Sequence, residues 1–208
     1  MMVTTPGPDH TCLFVGERLC IDFVNTEPVD AGERRERLGD FDELLDWCAR
    51  AGVVTATEAR ALARRWTGQA EARQAHAAAL KLRAGLRVLL ERLAAGRPVP
   101  PAAIDAINDV LRLDRSERQL VRTRDGYATA RRRIIGEPVQ LLVAIAESAA
   151  QLLSEDDLAL VKACQNPQCV LFFYDTTRNH ARRWCSMAAC GNRAKVAAHY
   201  QRVKHGTS

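Results

Sequence analysis

Four of the seven cysteines fall between Cys164 and Cys190, as two C-x4-C pairs, Cys164 with Cys169 and Cys185 with Cys190, with residues 170–184 between the pairs. This spacing constrains the fold more than anything else in the chain. A tetrahedral metal is held by two such hooks when a short connector folds back, because each tight turn supplies two thiolates and the connector sets the pairs opposite each other. Four cysteines can also close two disulfides. The N-terminus MMVTTPGPDHTC has no basic start followed by an apolar run and so does not read as a secretory signal. Paired hooks in a chain whose thiols stay reduced bind metal more often than they oxidise. The expectation is therefore one structural Zn2+ on Cys164, Cys169, Cys185 and Cys190. Four protein thiolates close the coordination shell, leaving no position for a substrate or an activated water.

Between the hooks, Val170 to Tyr174 (VLFFY) is rich in β-formers, and Arg182 to Trp184 is placed to return antiparallel to it across a polar, turn-like DTTRNHA. A hairpin of this size buries too little surface to stand alone, so the metal is expected to support it. After Cys190, Asn192 reads as a helix cap, with Val196, Tyr200 and Val203 on one face and Lys195, His199 and Arg202 on another. Of the chain's 30 Lys and Arg and 25 Asp and Glu, eight bases and one acid lie in residues 162–208, a formal +7; this leaves 22 and 24 elsewhere, a formal −2. Four thiolates on Zn2+ lower the tail to about +5. So concentrated a basic patch most often meets nucleic acid, through phosphate contacts whose affinity falls with salt.

Cys164, Pro167, Cys169, Phe172, Asp175, the run Arg183-Trp184-Cys185-Ser186-Met187 and Cys190-Gly191-Asn192-Arg193-Ala194-Lys195 resemble the CGNR zinc finger, named for the tetrapeptide that begins at Cys190. Near the N-terminus, Leu19-Cys20-Ile21-Asp22-Phe23-Val24-Asn25-Thr26 looks like the opening motif of the ABATE domain, which usually precedes such a finger. Together the two resemblances cover nearly the whole chain. They imply a bacterial, stress-induced, DNA-binding transcription regulator with one zinc.

The rest of the sequence reads as a helical body. Its fold class is mainly α, or α+β, divided as a helical domain over residues 1–158 with a β-hairpin and a zinc-binding hairpin-plus-helix module over residues 159–208. Asp40 with Glu43 and Thr55 with Glu58 are capping-box-like helix starts, and Gly52 and Gly68 fall where those helices should end. An Ala-rich helix follows from Gln69 to Ala95. Pro98, Pro100 and Pro101 force a turn before a helix from Ile104 to Leu113. Glu117 to Arg133 alternates around Asp125-Gly126 and predicts a hairpin, with Arg131, Arg132 and Arg133 read as a solvated edge or, alternatively, a contact to DNA or an acidic partner. Gly136-Glu137-Pro138 starts a last helix to about Leu153. The charged stretch Glu27 to Gly39 reads as a solvated connection.

Asp22, Asn25 and Thr26 interrupt an apolar run. They read either as polar groups lining a small-molecule pocket or as partners of buried backbone at a helix end, the second being the commoner use of such residues. Catalysis has little support, since no phosphate loop, nucleophile elbow or His-rich metal motif occurs. His76 in its Ala-rich helix reads as a packing residue, and Cys12, Cys20 and Cys48 as reduced thiols with oxidation sensing as a minor alternative. No run of about 18 apolar residues is available to cross a membrane, and a cytoplasmic protein is expected.

The leading functional expectation is a DNA-binding regulator and not an enzyme. The finger would present Arg178, Arg182, Arg183, Asn192, Arg193, Lys195 and Arg202 to DNA, while the body senses a small-molecule effector or forms a homodimer. The alternative is a zinc-stabilised module for protein or RNA contacts, with Phe172, Phe173 and Trp184 packing or stacking. An enzyme site around Asp22 and Asn25 ranks last.

Overall fold

A computed structural model describes residues 14–30, 33–196 and 200 of the chain. In chain order its elements are α1 (Leu19–Val24), β1 (Val29–Asp30), β2 (Glu33–Arg34), α2 (Phe41–Arg50), α3 (Ala56–Trp66), α4 (Ala70–Ala94), α5 (Pro101–Leu111), β3 (Ser116–Thr123) and β4 (Gly126–Arg133). A 3-10 turn at Pro138–Leu142 leads into α6 (Val143–Glu155), and a second 3-10 turn at Leu158–Leu160, β5 (Val161–Ala163), β6 (Phe172–Tyr174) and a π-turn at Met187–Gly191 complete the order, with helical backbone continuing over 192–196. The class is mainly α, and among the described residues the strands pair only as antiparallel twos: β1 with β2, β3 with β4, β5 with β6.

The long helix α4 is the spine of the body. Ala72, Ala75, Ala79, Leu82, Leu86, Leu89, Leu90 and Leu93 recur every three or four residues and are all buried, which is the stripe a helix needs to pack on its neighbours. Small alanines near its start and leucines further along let α1, α2, α5 and β5 approach it. Each fully buried leucine is worth about 1.5–3 kcal/mol. The helix starts follow their local signals: the Asp40 carboxylate accepts from the Glu43 amide at 2.9 Å. The Thr55 hydroxyl accepts from the Glu58 amide while the Glu58 carboxylate accepts from the Thr55 amide. Pro101 opens α5, where its missing N–H costs nothing.

Three expectations are corrected. The stretch from Glu27 to Gly39 is not simply solvated: Glu36 pairs with Arg83 of α4, which is 5% exposed and also donates to the Thr26 hydroxyl, and Glu27 pairs with Arg87. A buried guanidinium inside an Ala/Leu stripe needs such partners, and this loop supplies them. The hairpin turn is Arg124-Asp125, with Gly126 at φ +131° already pairing with Thr123. Finally, β6 does not pair with residues 182–184. It pairs with β5, Val161 opposite Tyr174 and Ala163 opposite Phe172, so the first cysteine hook lies inside the hairpin turn and not before it.

This last pairing explains why VLFFY is apolar throughout. Alternate residues of a strand face opposite ways. Phe172 and Tyr174, with Val161, join the core of the body, whereas Leu171 and Phe173 cover the cysteine cluster. One two-stranded sheet serves as floor to the finger and as part of the body's core.

Candidate metal centre

The first hook is a turn that continues the β5–β6 hairpin. The Cys164 amide donates to the Leu171 carbonyl, and Asn166 tightens the loop by accepting from the Cys169 amide on its carbonyl and from the Gln168 amide on its side chain. The second hook opens a helix. Ser186 caps it by accepting from the Ala189 amide, and the wide π-turn from Met187 carries Cys190 inward; such turns recur at functional sites. Asn192, read from sequence as the cap, lies inside this helix and donates to the Ala188 carbonyl. A Cβ at Gly191 would lie 2.6 Å from Met187 Sδ, the end of an exposed side chain that can swing aside, and 3.3 Å from Trp184 Cδ1.

The four thiol sulfurs of Cys164, Cys169, Cys185 and Cys190 lie within 4.8 Å of one another. Cys169 and Cys185 are 3.7 Å apart and Cys185 and Cys190 3.6 Å. A disulfide requires about 2.05 Å, whereas a tetrahedron with bonds of about 2.3 Å to zinc has sulfur edges of about 3.8 Å. The donor set therefore fits one Zn2+. The close sulfurs also act on one another: contacts with Cys169 and Cys185 draw the Cys164 thiol down, the contact with Cys164 pushes Cys169 up, and contacts with Cys164 and Cys169 push Cys185 up. The Asn166 amide donates to Cys190 Sγ at 3.2 Å and the Cys185 backbone amide to Cys164 Sγ at 3.4 Å, bonds that orient the sulfurs. Bound zinc would supply a closed structural site.

Asp175 organises the loop between the hooks. Its buried carboxylate accepts from Lys162 Nζ at 2.6 Å, from the Thr177 amide and hydroxyl, and from the Arg182 amide. Burial alone would raise its pKa; these four donors outweigh burial and hold it well below the usual carboxylate range.

The ABATE-like motif meets the finger here. Asn25, at the C-terminal cap of α1, both accepts from the Phe172 amide at 3.0 Å and donates to the Phe172 carbonyl at 2.9 Å. The Tyr174 amide donates to the Gly16 carbonyl. Asp22 accepts from the Gly16 amide at 2.8 Å, and Gly16 leaves no room for a side chain, a Cβ there being 2.7 Å from Ile21 Cγ2. Arg18 grips Asp156 with two hydrogen bonds and lies 4.2 Å over the Tyr174 ring. Thr26 donates to the Phe23 carbonyl and accepts from Arg83. The polar groups proposed as a ligand pocket are thus engaged inside the chain, and Asn25 in particular holds the finger to the body. Burial pushes the Asp22 carboxyl up to about 6.

Arg182, expected at DNA, is engaged within the chain. Its guanidinium points inward, donating to the carbonyls of Val15, Trp184 and Cys185, reaching Glu17, and lying 4.3 Å over the Phe173 ring. Carbonyl oxygens converging on one loop offer more than water does to a group with five donors. No local signal marks this use, because a loop arginine between a polar turn and a tryptophan looks solvated. Arg178, Arg183, Asn192, Arg193 and Lys195 are exposed, with Arg183 bonded to Gln165 and stacked at 5.2 Å on Trp184. Arg202, His199 and Val203 lie outside the described residues, as does Cys12. Phe172 and Phe173 are buried and closed to base stacking. Cys20 and Cys48 are buried, and burial pushes their thiols up to about 11 and about 12, the opposite of what an oxidation sensor requires. His76 bonds the Leu38 carbonyl as a packing residue.

A helical body whose first helix clasps a four-cysteine, zinc-fitted hairpin defines the class: a zinc-finger protein with the finger built onto a folded domain. The chain belongs to the ABATE family, described as "putative stress-induced transcription regulator", whose profile matches residues 17–156, and the CGNR zinc finger matches residues 161–203. No curated protein matches the chain. Among the described residues, no helix is long and apolar enough to cross a membrane.

Proposed function

We propose that this protein is a DNA-binding transcription regulator that contacts DNA with the exposed basic face of its zinc finger. The observation that carries the reading is the finger's charge geometry. Arg178, Arg183, Arg193 and Lys195 are exposed on a module whose one acid, Asp175, is buried and neutralised internally. The family description supports the same reading. Arg183 and Arg193 are suited to guanine edges, Asn192 to adenine, and Lys195 and Arg178 to phosphate. Zinc fixes the two hooks and hence the spacing of these groups, and the body holds the finger through Asn25 and Arg182.

The test is duplex binding by the zinc-loaded protein across a salt series. Replacing Arg183, Arg193 and Lys195 together by Ala is expected to weaken binding and reduce the slope of log K against log salt by about 0.9 for each phosphate no longer neutralised. Zinc content should stay the same, because none of the three touches a sulfur. Unchanged affinity and slope would overturn the reading.

A further inference from the structure

Beyond the finger, the most strongly charged unpartnered surface is the β3–β4 ribbon. Residues 116–133 carry six arginines against Glu117 and Asp125. The base of the ribbon is fastened to the body: Arg131 and Arg133 both pair with Asp114 and with Glu147 of α6, and the Ile134 amide donates to the Arg115 carbonyl. The far end is free, with every residue from 122 to 129 exposed. Eight paired residues per strand span about 26 Å, far more than a connection between α5 and α6 requires.

The register assigns the faces. Arg118 lies opposite Arg131, Leu120 opposite Thr129, and Arg122 opposite Tyr127, and alternation puts all six on one side. Leu120 and Tyr127 are 71% and 72% exposed. Among the described residues, the side chains of Arg118, Arg122 and Arg124 have no hydrogen-bond, ion-pair or ring partner. An isolated two-stranded hairpin is marginal in water, and this one spends two large apolar side chains on solvent.

We propose that this ribbon is a second nucleic-acid contact, entering a groove of duplex DNA with Arg118, Arg122 and Arg124 on phosphates and Leu120 and Tyr127 against the sugar and base edges. The inference rests on the DNA-binding reading of the finger. A two-stranded ribbon fits the major groove, and a leucine projecting from a basic ribbon is the kind of wedge that minor-groove binders use. Charge selects this occupant over a second copy of the chain, since two ribbons with a formal +4 each repel, and arginines along both strands discourage edge pairing.

The experiment uses the full-length zinc-loaded protein and a duplex salt series with three variants. These are Arg118→Ala with Arg122→Ala, the same pair changed to Lys, and the finger variant Arg183→Ala with Arg193→Ala. The ribbon alanine variant is expected to lower the salt slope by about 1.8 and the lysine variant to restore it, each charge accounting for about 0.9. The finger variant should retain the ribbon's share. Binding by the wild type with the same slope in the ribbon alanine variant overturns the ribbon inference alone and leaves the ribbon as a surface for an acidic protein. Failure of the wild type to bind any duplex overturns both readings. Helical circular dichroism of the ribbon variants is expected to be unchanged, since the Arg118 and Arg122 side chains have no partner among the described residues.

Discussion

The body and the finger are held together by different physics. The body encloses a continuous apolar core running from Phe23 and Trp47 through the α4 leucines to Leu152. The finger's own cluster is Leu171 and Phe173 with three buried cysteines, edged by Val15 and Trp184. Burying a few side chains cannot offset the ordering entropy of some thirty residues at about 1–2 kcal/mol each. The finger must therefore draw its stability from a metal and from docking, whereas the body has a large apolar core of its own, to which the finger's sheet adds Val161, Phe172 and Tyr174. The comparison teaches that a small module can be made rigid by sharing a sheet with a larger one, and that the residues which do the sharing carry a motif even when they bind no ligand.

Removing the metal gives the largest expected separation of the two regions. Chelation, or Cys185→Ser, should abolish amide protection over residues 164–191 while the helical signal of α2 to α6 persists; apparent zinc binding energies in such modules are about 10–16 kcal/mol. Hydrogen exchange followed by mass spectrometry reads both regions at once. Simultaneous loss of both would break the comparison.

A smaller effect is expected from Asn25→Ala, which removes both bonds to Phe172 and leaves its buried amide and carbonyl unpaired. The cost is about 2–4 kcal/mol, felt as faster exchange in β5 and β6 with zinc still bound. If exchange rises equally across α4, the clasp is part of the body and not a joint.

The smallest effect belongs to Asp22. Its folded pKa, about 6, lies above its ordinary value, so the native state binds more protons than the unfolded state between roughly pH 4 and pH 6. Stability contributed by this group accordingly falls as pH rises through that window and is level above it. Asp22→Asn keeps an acceptor for the Gly16 amide without the buried charge. Its stability relative to wild type should increase from pH 5 to pH 7 in denaturant melts, and a difference that is flat with pH would count against burial as the cause.

Much of this architecture was legible locally. The capping pairs at Asp40 and Thr55, the prolines before α5, the alternation around Asp125 and the two cysteine hooks each act over a few residues, and each is found where its chemistry places it. What was illegible acts at long range. Val161–Ala163 is too short to signal a strand, so the true partner of β6 was hidden and a nearer segment was expected in its place. Arg182 reads as a DNA contact because its acceptors, three carbonyls, come from loops that only folding brings close, and the burial of Arg83 against Glu36 has the same long-range origin. The sequence favours Asn25 as a partner of buried backbone; that this backbone is Phe172, far along the chain, could not be seen.

The bond from Asn25 to Phe172 links positions 147 apart in the chain. At ribosomal rates of about 5–20 residues per second, α1 emerges roughly 7–30 s before the strand it clasps. During that interval the apolar side of α1 can already pack on Trp47, α4 and α6, but the Asn25 carboxamide has no Phe172 to hold, so the clasp is among the last contacts that synthesis permits.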